Sequence, residues 1–367
     1  MKGDVKNVLV TRFSALGDVA ISIPVLYCVC RTNPHVRFFF ATRPLPASLF
    51  VNAPSNLTVV PLDLKKYEGA GGMRRLAREL RREYAIDAYA DLHDVLRTKL
   101  LRMFMRLAGV RVAKIHKDRA GRRRLTRARR KVMLPLSTSR ARYREVFWRL
   151  GLQREDDFTS VFDEAAYRRG LVKELPEKPF MSPAPALFAA ATPPKEAGEV
   201  WIGVAPFAQH AGKVYPLQHL EQVVAELASR AGYKLFLMGA GAEESAVFAQ
   251  WRAKYGEQLV NMAEKRLGLP AEMALLSHCD LMLSMDSANM HIASLVSLRV
   301  VSVWGATHPY CGFMGWHQRR EDAVQLDMMC RPCSIYGNKP CRFGDMRCLE
   351  SLPPALVLRH IDTALGR

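Results

Sequence analysis

No stretch of this chain is apolar for long enough to cross a bilayer as a helix. The longest, residues 19–30, runs for about 12 residues and contains Pro24, against the ~20 that a span needs. A secretory hydrophobic region is missing too, since the first ten residues, MKGDVKNVLV, pair a short apolar run with Asp4 and Lys6. The GxGxxG spacing of a dinucleotide site does not follow the first strand. Acid is scarce: 35 Asp and Glu stand against 54 Lys and Arg, leaving a formal charge of +19. These absences argue against a membrane-spanning helix and a plain dinucleotide enzyme. They leave an expectation of a cytosolic chain drawn to a polyanion, which nucleic acid, phosphorylated lipid or an anionic membrane surface would satisfy. Eight cysteines do not argue for an oxidising compartment, because four of them cluster in one short segment.

At 367 residues with 49% hydrophobic content, the chain is long for one core and comfortable for two domains. Strands are expected at 5–10, 36–41, 57–62 and 86–92, with helices between them. Alternation at this spacing predicts a parallel, doubly wound α/β sheet. A proline-rich stretch marks a linker at 181–198. A second α/β unit then begins, with strands at 200–205, 234–238 and 281–285 and another from about Arg299. The expected division is an N-terminal Rossmann-like domain over 1–180, a C-terminal one over 199–350, and a closing helix over 351–367 that packs back on the body.

Three places carry candidate chemistry. After the first strand comes Arg12-Phe13-Ser14-Ala15-Leu16-Gly17-Asp18, where Gly17 permits close approach and Asp18 is placed to cap a helix or to take a proton from a hydroxyl. After the strand at 281–285 come Asp286, then Ser287 or Asn289 to cap the next helix, and His291 in its early turns. Ligands of open α/β sheets dock at this end of the strands. In the loop after 200–205, Lys213 is a point charge able to reach a phosphate. The run 111–131 holds eleven Lys and Arg against Asp118 alone, and its Arg122, Arg123 and Arg124 read as phosphate clamps. No aromatic is interleaved there, which argues against a nucleic-acid platform. Cys330, Cys333, Cys341 and Cys348 leave structural zinc, a disulfide or redox pair, and free thiols all open.

Together the segments 12–24, 283–291 and 303–309 resemble the lipopolysaccharide heptosyltransferase family, glycosyltransferase family 9. The resemblance implies a GT-B architecture, two Rossmann-like domains across a cleft, and an inverting transfer that needs neither metal nor cofactor. It implies Asp18 as general base, with Lys213 on the donor diphosphate. Glu243 would hold the nucleoside, with Glu244 as the alternative. Asp286 would hold the donor sugar, and Ser287 and His291 belong to the same motif. Arg12 and Arg122–Arg124 would meet the phosphorylated acceptor. The family's usual donor is ADP-heptose and its acceptor the lipopolysaccharide inner core, so the expected location is cytoplasmic, peripheral to the inner membrane face, without a nucleic-acid partner. Ala288 and Asn289 stand where the family commonly has glycine, which leaves room for another donor. A nucleotide-sugar epimerase and a basic nucleic-acid binder are the competing readings.

Overall fold

The computed structural model describes residues 5–153, 155–162 and 195–367. Most of the expected linker lies outside the described residues. The chain forms two compact units. One is Met1–Lys117 with Thr138–Val161, and the other is Asp118–Ser137 with Phe162–Arg367. The basic segment 118–137 thus groups with the second unit, although sequence order sets it within the first.

The first unit is built on five parallel strands: β1 (Asn7–Thr11), β2 (Arg37–Thr42), β3 (Leu57–Pro61), β4 (Ala88–Asp91) and β5 (Arg111–Lys114), in spatial order β3-β2-β1-β4-β5. Val8, Leu9 and Val10 of β1 are fully buried because helices cover both sheet faces. Each such side chain contributes about 1.5–3 kcal/mol. Helix Gly69–Tyr84 presents Met73, Leu76, Ala77 and Leu80 to that core and its arginines to solvent. The strand order reverses between β1 and β4, which makes the loops after these two strands neighbours.

The second unit repeats the plan with six strands: β6 (Val200–Ala205), β7 (Tyr233–Leu237), β8 (Leu259–Asn261), β9 (Leu281–Met285), β10 (Val300–Val303) and β11 (Ala323–Val324). Their order is β11-β10-β9-β6-β7-β8, again all parallel. Here the reversal falls between β6 and β9. Helix Pro354–Leu365 joins this unit's core through Val357 and Ile361, beside Leu220, Val301 and Val324.

Three strands escaped the sequence pattern. β5 hides in the charge run because it lies at a sheet edge, where Arg111 and Lys114 can reach solvent around Val112 and Ala113. β8 and β11 span three and two residues at the other sheet's edges, too short to show a period. The first helix, expected from about Val19 to Arg31, starts earlier, at Leu16–Thr32, which puts Asp18 inside its first turn. Among the described residues no helix is long and apolar enough to cross a membrane.

Candidate active site

In the first unit the reversal point gathers the loops after β1 and β4. Asp18 lies in the first turn of Leu16–Thr32, where the helix N-terminus favours its negative charge. Arg12, leaving β1, pairs with Asp18 Oδ2 and donates through Nη1 to the Leu92 carbonyl at 2.9 Å. The carboxylate is thereby held by one oxygen. Oδ1 has no hydrogen bond among the described residues, and the side chain keeps 25% of its surface exposed. A carboxylate fixed on one side and open on the other can accept a proton from a bound hydroxyl.

His93 borders the same place. Its Nε2 lies 3.5 Å from Ser14 Oγ, and its ring meets Phe13 edge-on at 6.2 Å. The turn that carries it is fixed from below. Asp91 Oδ1 accepts from the backbone N–H groups of His93 and Asp94, both at 2.9 Å, while Arg102 bridges Asp91 and Asp94. Burial, then the cations of Arg12 and Lys117, push the His93 imidazole down to about 3, so it is neutral at physiological pH. His308 of the second unit is likewise lowered, to about 4, by burial and by Arg331. Between about pH 6.5 and these folded values the unfolded chain binds more protons, so stability falls as pH falls. At pH 5 His93 is expected to cost about 2 kcal/mol relative to pH 7. His93→Gln should flatten the slope of urea-melt stability against pH in this window, and an unaltered slope would contradict the assignment.

The second unit's reversal point joins the loop after β6 to the end of β9. Lys213, closing the turn Ala211–Lys213, places Nζ 2.9 Å from Asp286 Oδ2, and Thr307 Oγ1 donates to the same oxygen at 2.8 Å. Asp286 Oδ1 has no hydrogen bond among the described residues. Gly212 brings the backbone in close. Its carbonyl accepts from Ala306 N at 2.8 Å, and a Cβ on Gly212 would sit 2.6 Å from the Gly337 carbonyl oxygen.

Arg331 holds the loop that bears Thr307. Its guanidinium, buried against solvent, donates to the carbonyls of Trp304, Gly305, Thr307 and Leu326 and to Gln325 Oε1. Burial among neutral acceptors lowers its pKa. Arg331→Met strands those carbonyls and should cost about 3 kcal/mol or more, read from urea melts. A loss below about 1 kcal/mol would mean that the loop stands without it.

The remaining sequence candidates sit as follows. Glu244 turns back to accept from Ala240 N at 2.7 Å, and burial raises its pKa; Glu243, in the first turn of Ala242–Tyr255, is exposed and, among the described residues, makes no hydrogen bond or ion pair through its side chain. The open carboxylate is therefore Glu243. Ser287 occupies the N-cap position of Ala288–Leu295 without a capping bond and instead lies 3.3 Å from Ser284 Oγ. His291 is buried in that helix, while Ala288 and Asn289 are half-buried at its start. Arg123 and Arg124 are exposed, and Arg122 packs on Phe313 and Tyr336 of the second unit. Sequence reasoning gave no role to His93 or Thr307. Position after β4 was the one sign for His93, and membership of the 303–309 segment the one sign for Thr307.

Residues 73–342 match the family model described as Glycosyltransferase family 9 (heptosyltransferase). The chain belongs to glycosyltransferase family 9. It is 29% identical over 86 residues to lipooligosaccharide heptosyltransferase 2 of Campylobacter jejuni, a match covering 23% of this chain and 26% of that relative, so the chain spans about a quarter of the curated relative's length. The crystal structure of a family 9 glycosyltransferase from Veillonella parvula superposes with a TM-score of 0.69 at 16% identity, covering 100% of this chain and 99% of the other. ADP-heptose LPS heptosyltransferase II of E. coli superposes at 0.65 with 17% identity, covering 98% of each chain. The fold of this family 9 chain is accordingly GT-B, with two Rossmann-like units. Its eight cysteines are all free thiols. Burial, with the neighbouring Cys330 and Cys341 adding to it, raises the Cys333 and Cys348 thiols, the latter to about 11. Among the described residues no group of three or more His, Cys, Asp or Glu is gathered to hold a metal ion.

Proposed function

We propose that this protein is an inverting glycosyltransferase that moves a sugar from a nucleotide diphosphate donor to a hydroxyl of a phosphorylated lipid-linked glycan. Membership of family 9, and the ADP-heptose and lipooligosaccharide chemistry by which its relatives are named, support ADP-heptose as donor and a lipopolysaccharide inner core as acceptor. The observation that carries the reading is the Lys213–Asp286–Thr307 arrangement at the reversal point between β6 and β9, where open α/β sheets bind ligands. Lys213 neutralises the diphosphate as it leaves, and Asp286 Oδ1 accepts from a sugar hydroxyl. Asp18 takes the proton of the acceptor hydroxyl as its oxygen attacks the anomeric carbon. The C–O bond to phosphate breaks, and the nucleoside diphosphate departs with that electron pair. One base and one cationic site suffice, because a diphosphate needs neutralising rather than protonating. His93, neutral and beside Asp18, adds a hydrogen-bonding group without adding charge. Glu243 is the carboxylate free to meet the nucleoside. The excess of 54 basic over 35 acidic residues favours an anionic acceptor and an anionic membrane surface on the cytoplasmic side.

A melting-shift panel of ADP-, UDP-, GDP- and dTDP-sugars tests this directly. The true donor at 100 times its Kd should add about 2.7 kcal/mol of stability. A flat response to all four would sink the proposal, and donor consumption with no acceptor present would favour an epimerase instead.

A further inference from the structure

We propose that Arg122 belongs to the donor subsite: its guanidinium, held by Phe313 and Tyr336 on the second unit, binds the diphosphate of the nucleotide sugar together with Lys213. This rests on the glycosyltransferase reading above and departs from the acceptor role that the resemblance suggested for Arg122.

Segment 118–137 is fastened to the second unit at three points. Asp118 caps helix Arg119–Thr126 by accepting from Gly121 N at 3.0 Å, which sets the direction of Arg122. Lys131 Nζ donates to the carbonyls of Cys330 at 2.6 Å and Pro332 at 2.9 Å, and Leu136 N donates to the Tyr310 carbonyl at 2.9 Å. Arg122 lies with Cζ 5.9 Å from the Phe313 ring centroid and 5.5 Å from that of Tyr336, and its Nη1 donates to Tyr336 Oη at 2.5 Å. Its Nε is buried with no hydrogen-bond partner, and no carboxylate pairs with it among the described residues. Two aromatic rings remove water from a cation without neutralising it.

The neighbour is the Lys213 turn. Tyr336 adjoins Gly337, which packs on the Lys213 stem so tightly that a Cβ there would lie 2.6 Å from Cγ and 3.3 Å from both Cδ and Cε. Phe313 follows two residues after Cys311, a buried thiol that feels the charges of Asp286, Lys213 and Arg122 together. Lys213 is already paired with Asp286, so that couple carries no net charge. A diphosphate needs further positive charge to be held, and Arg122 is the adjacent cation without an anion of its own. A guanidinium also spans two phosphate oxygens, which an ammonium cannot do.

The same phosphate chemistry could reach Arg122 from the acceptor, and a titration without acceptor separates the two sources. With full-length protein, Arg122→Gln is expected to weaken ADP and inorganic pyrophosphate binding about 10- to 100-fold and AMP binding less. Tyr336→Phe, which keeps the ring and removes the hydroxyl, should weaken ADP about threefold. Arg129→Ala, removing an exposed positive charge from the same segment, should leave it unchanged. Unaltered ADP and pyrophosphate affinity in Arg122→Gln overturns the assignment, above all if the acceptor KM rises. Should Arg122→Gln lack a melting transition, Tyr336→Phe decides, and unaltered ADP affinity there overturns it equally. If the unsubstituted protein binds none of ADP, UDP, GDP, dTDP and pyrophosphate, the glycosyltransferase reading itself has failed.

Discussion

Asp18→Asn is expected to lower kcat/KM by about 10²–10⁴ while nucleotide-sugar binding stays as it was. The amide keeps the size of the side chain and a place beside Arg12, so the helix and its loop should persist. What it loses is the ability to take a proton, equivalent to about 3–5 kcal/mol of barrier. Arg12 holds Oδ2, so on the function proposed above Oδ1 is the oxygen that would meet the hydroxyl. The checks are steady-state turnover and a donor melting shift measured on one preparation. Turnover within a few-fold of the parent would remove Asp18 as base. Lost donor binding alongside lost turnover would point to a structural role instead.

Lys213→Ala should do damage in two currencies. On the function proposed above, catalysis would lose the fixed cation meeting the leaving diphosphate, a contribution comparable to an oxyanion-hole donor, about 10²–10³ in kcat. Stability suffers as well, because Asp286 is only 2% exposed and, among the described residues, its carboxylate keeps only Thr307 as a partner. Stranding a buried carboxylate costs about 3–5 kcal/mol. The two effects separate in the double variant Lys213→Ala with Asp286→Asn, which removes the stranded charge: urea melts should recover most of the stability while turnover stays low. Recovery of turnover would show that the Lys213 charge does no chemistry. Failure to recover stability would show that packing of the lysine stem on Gly337, rather than charge, held the turn.

Much of this was legible beforehand, for local reasons. β1 and β9 are short apolar runs followed at once by polar turns, so their strand ends, with Asp18 and Asp286, could be read directly. Lys213 could not be told from a solvated lysine by its surroundings in the chain. Its meaning came from the family likeness, and its partner Asp286 is supplied by a distant strand. His93 was visible but mute, because its neutrality comes from Phe13, Arg12 and Lys117 packing around it. Arg122, Arg123 and Arg124 are equivalent in sequence. One is stacked on aromatic rings and two are solvated because the capped helix turns a single arginine toward Phe313 and Tyr336. Edge strands were lost because an edge tolerates the charges that conceal it.

The segment that carries Arg122 also bears on how the polypeptide reaches its final state. Lys131 anchors to backbone 199 and 201 residues further along, at Cys330 and Pro332. On the ribosome, residues 118–137 therefore emerge long before their docking surface exists. A fragment started at the conventional boundary near Val200 would be made without them, leaving Tyr336, Phe313 and the Cys330 carbonyl uncovered. The rear half is thus discontinuous in the chain, and its completion is a late, long-range step whose loop-closure entropy grows only slowly with the residues between.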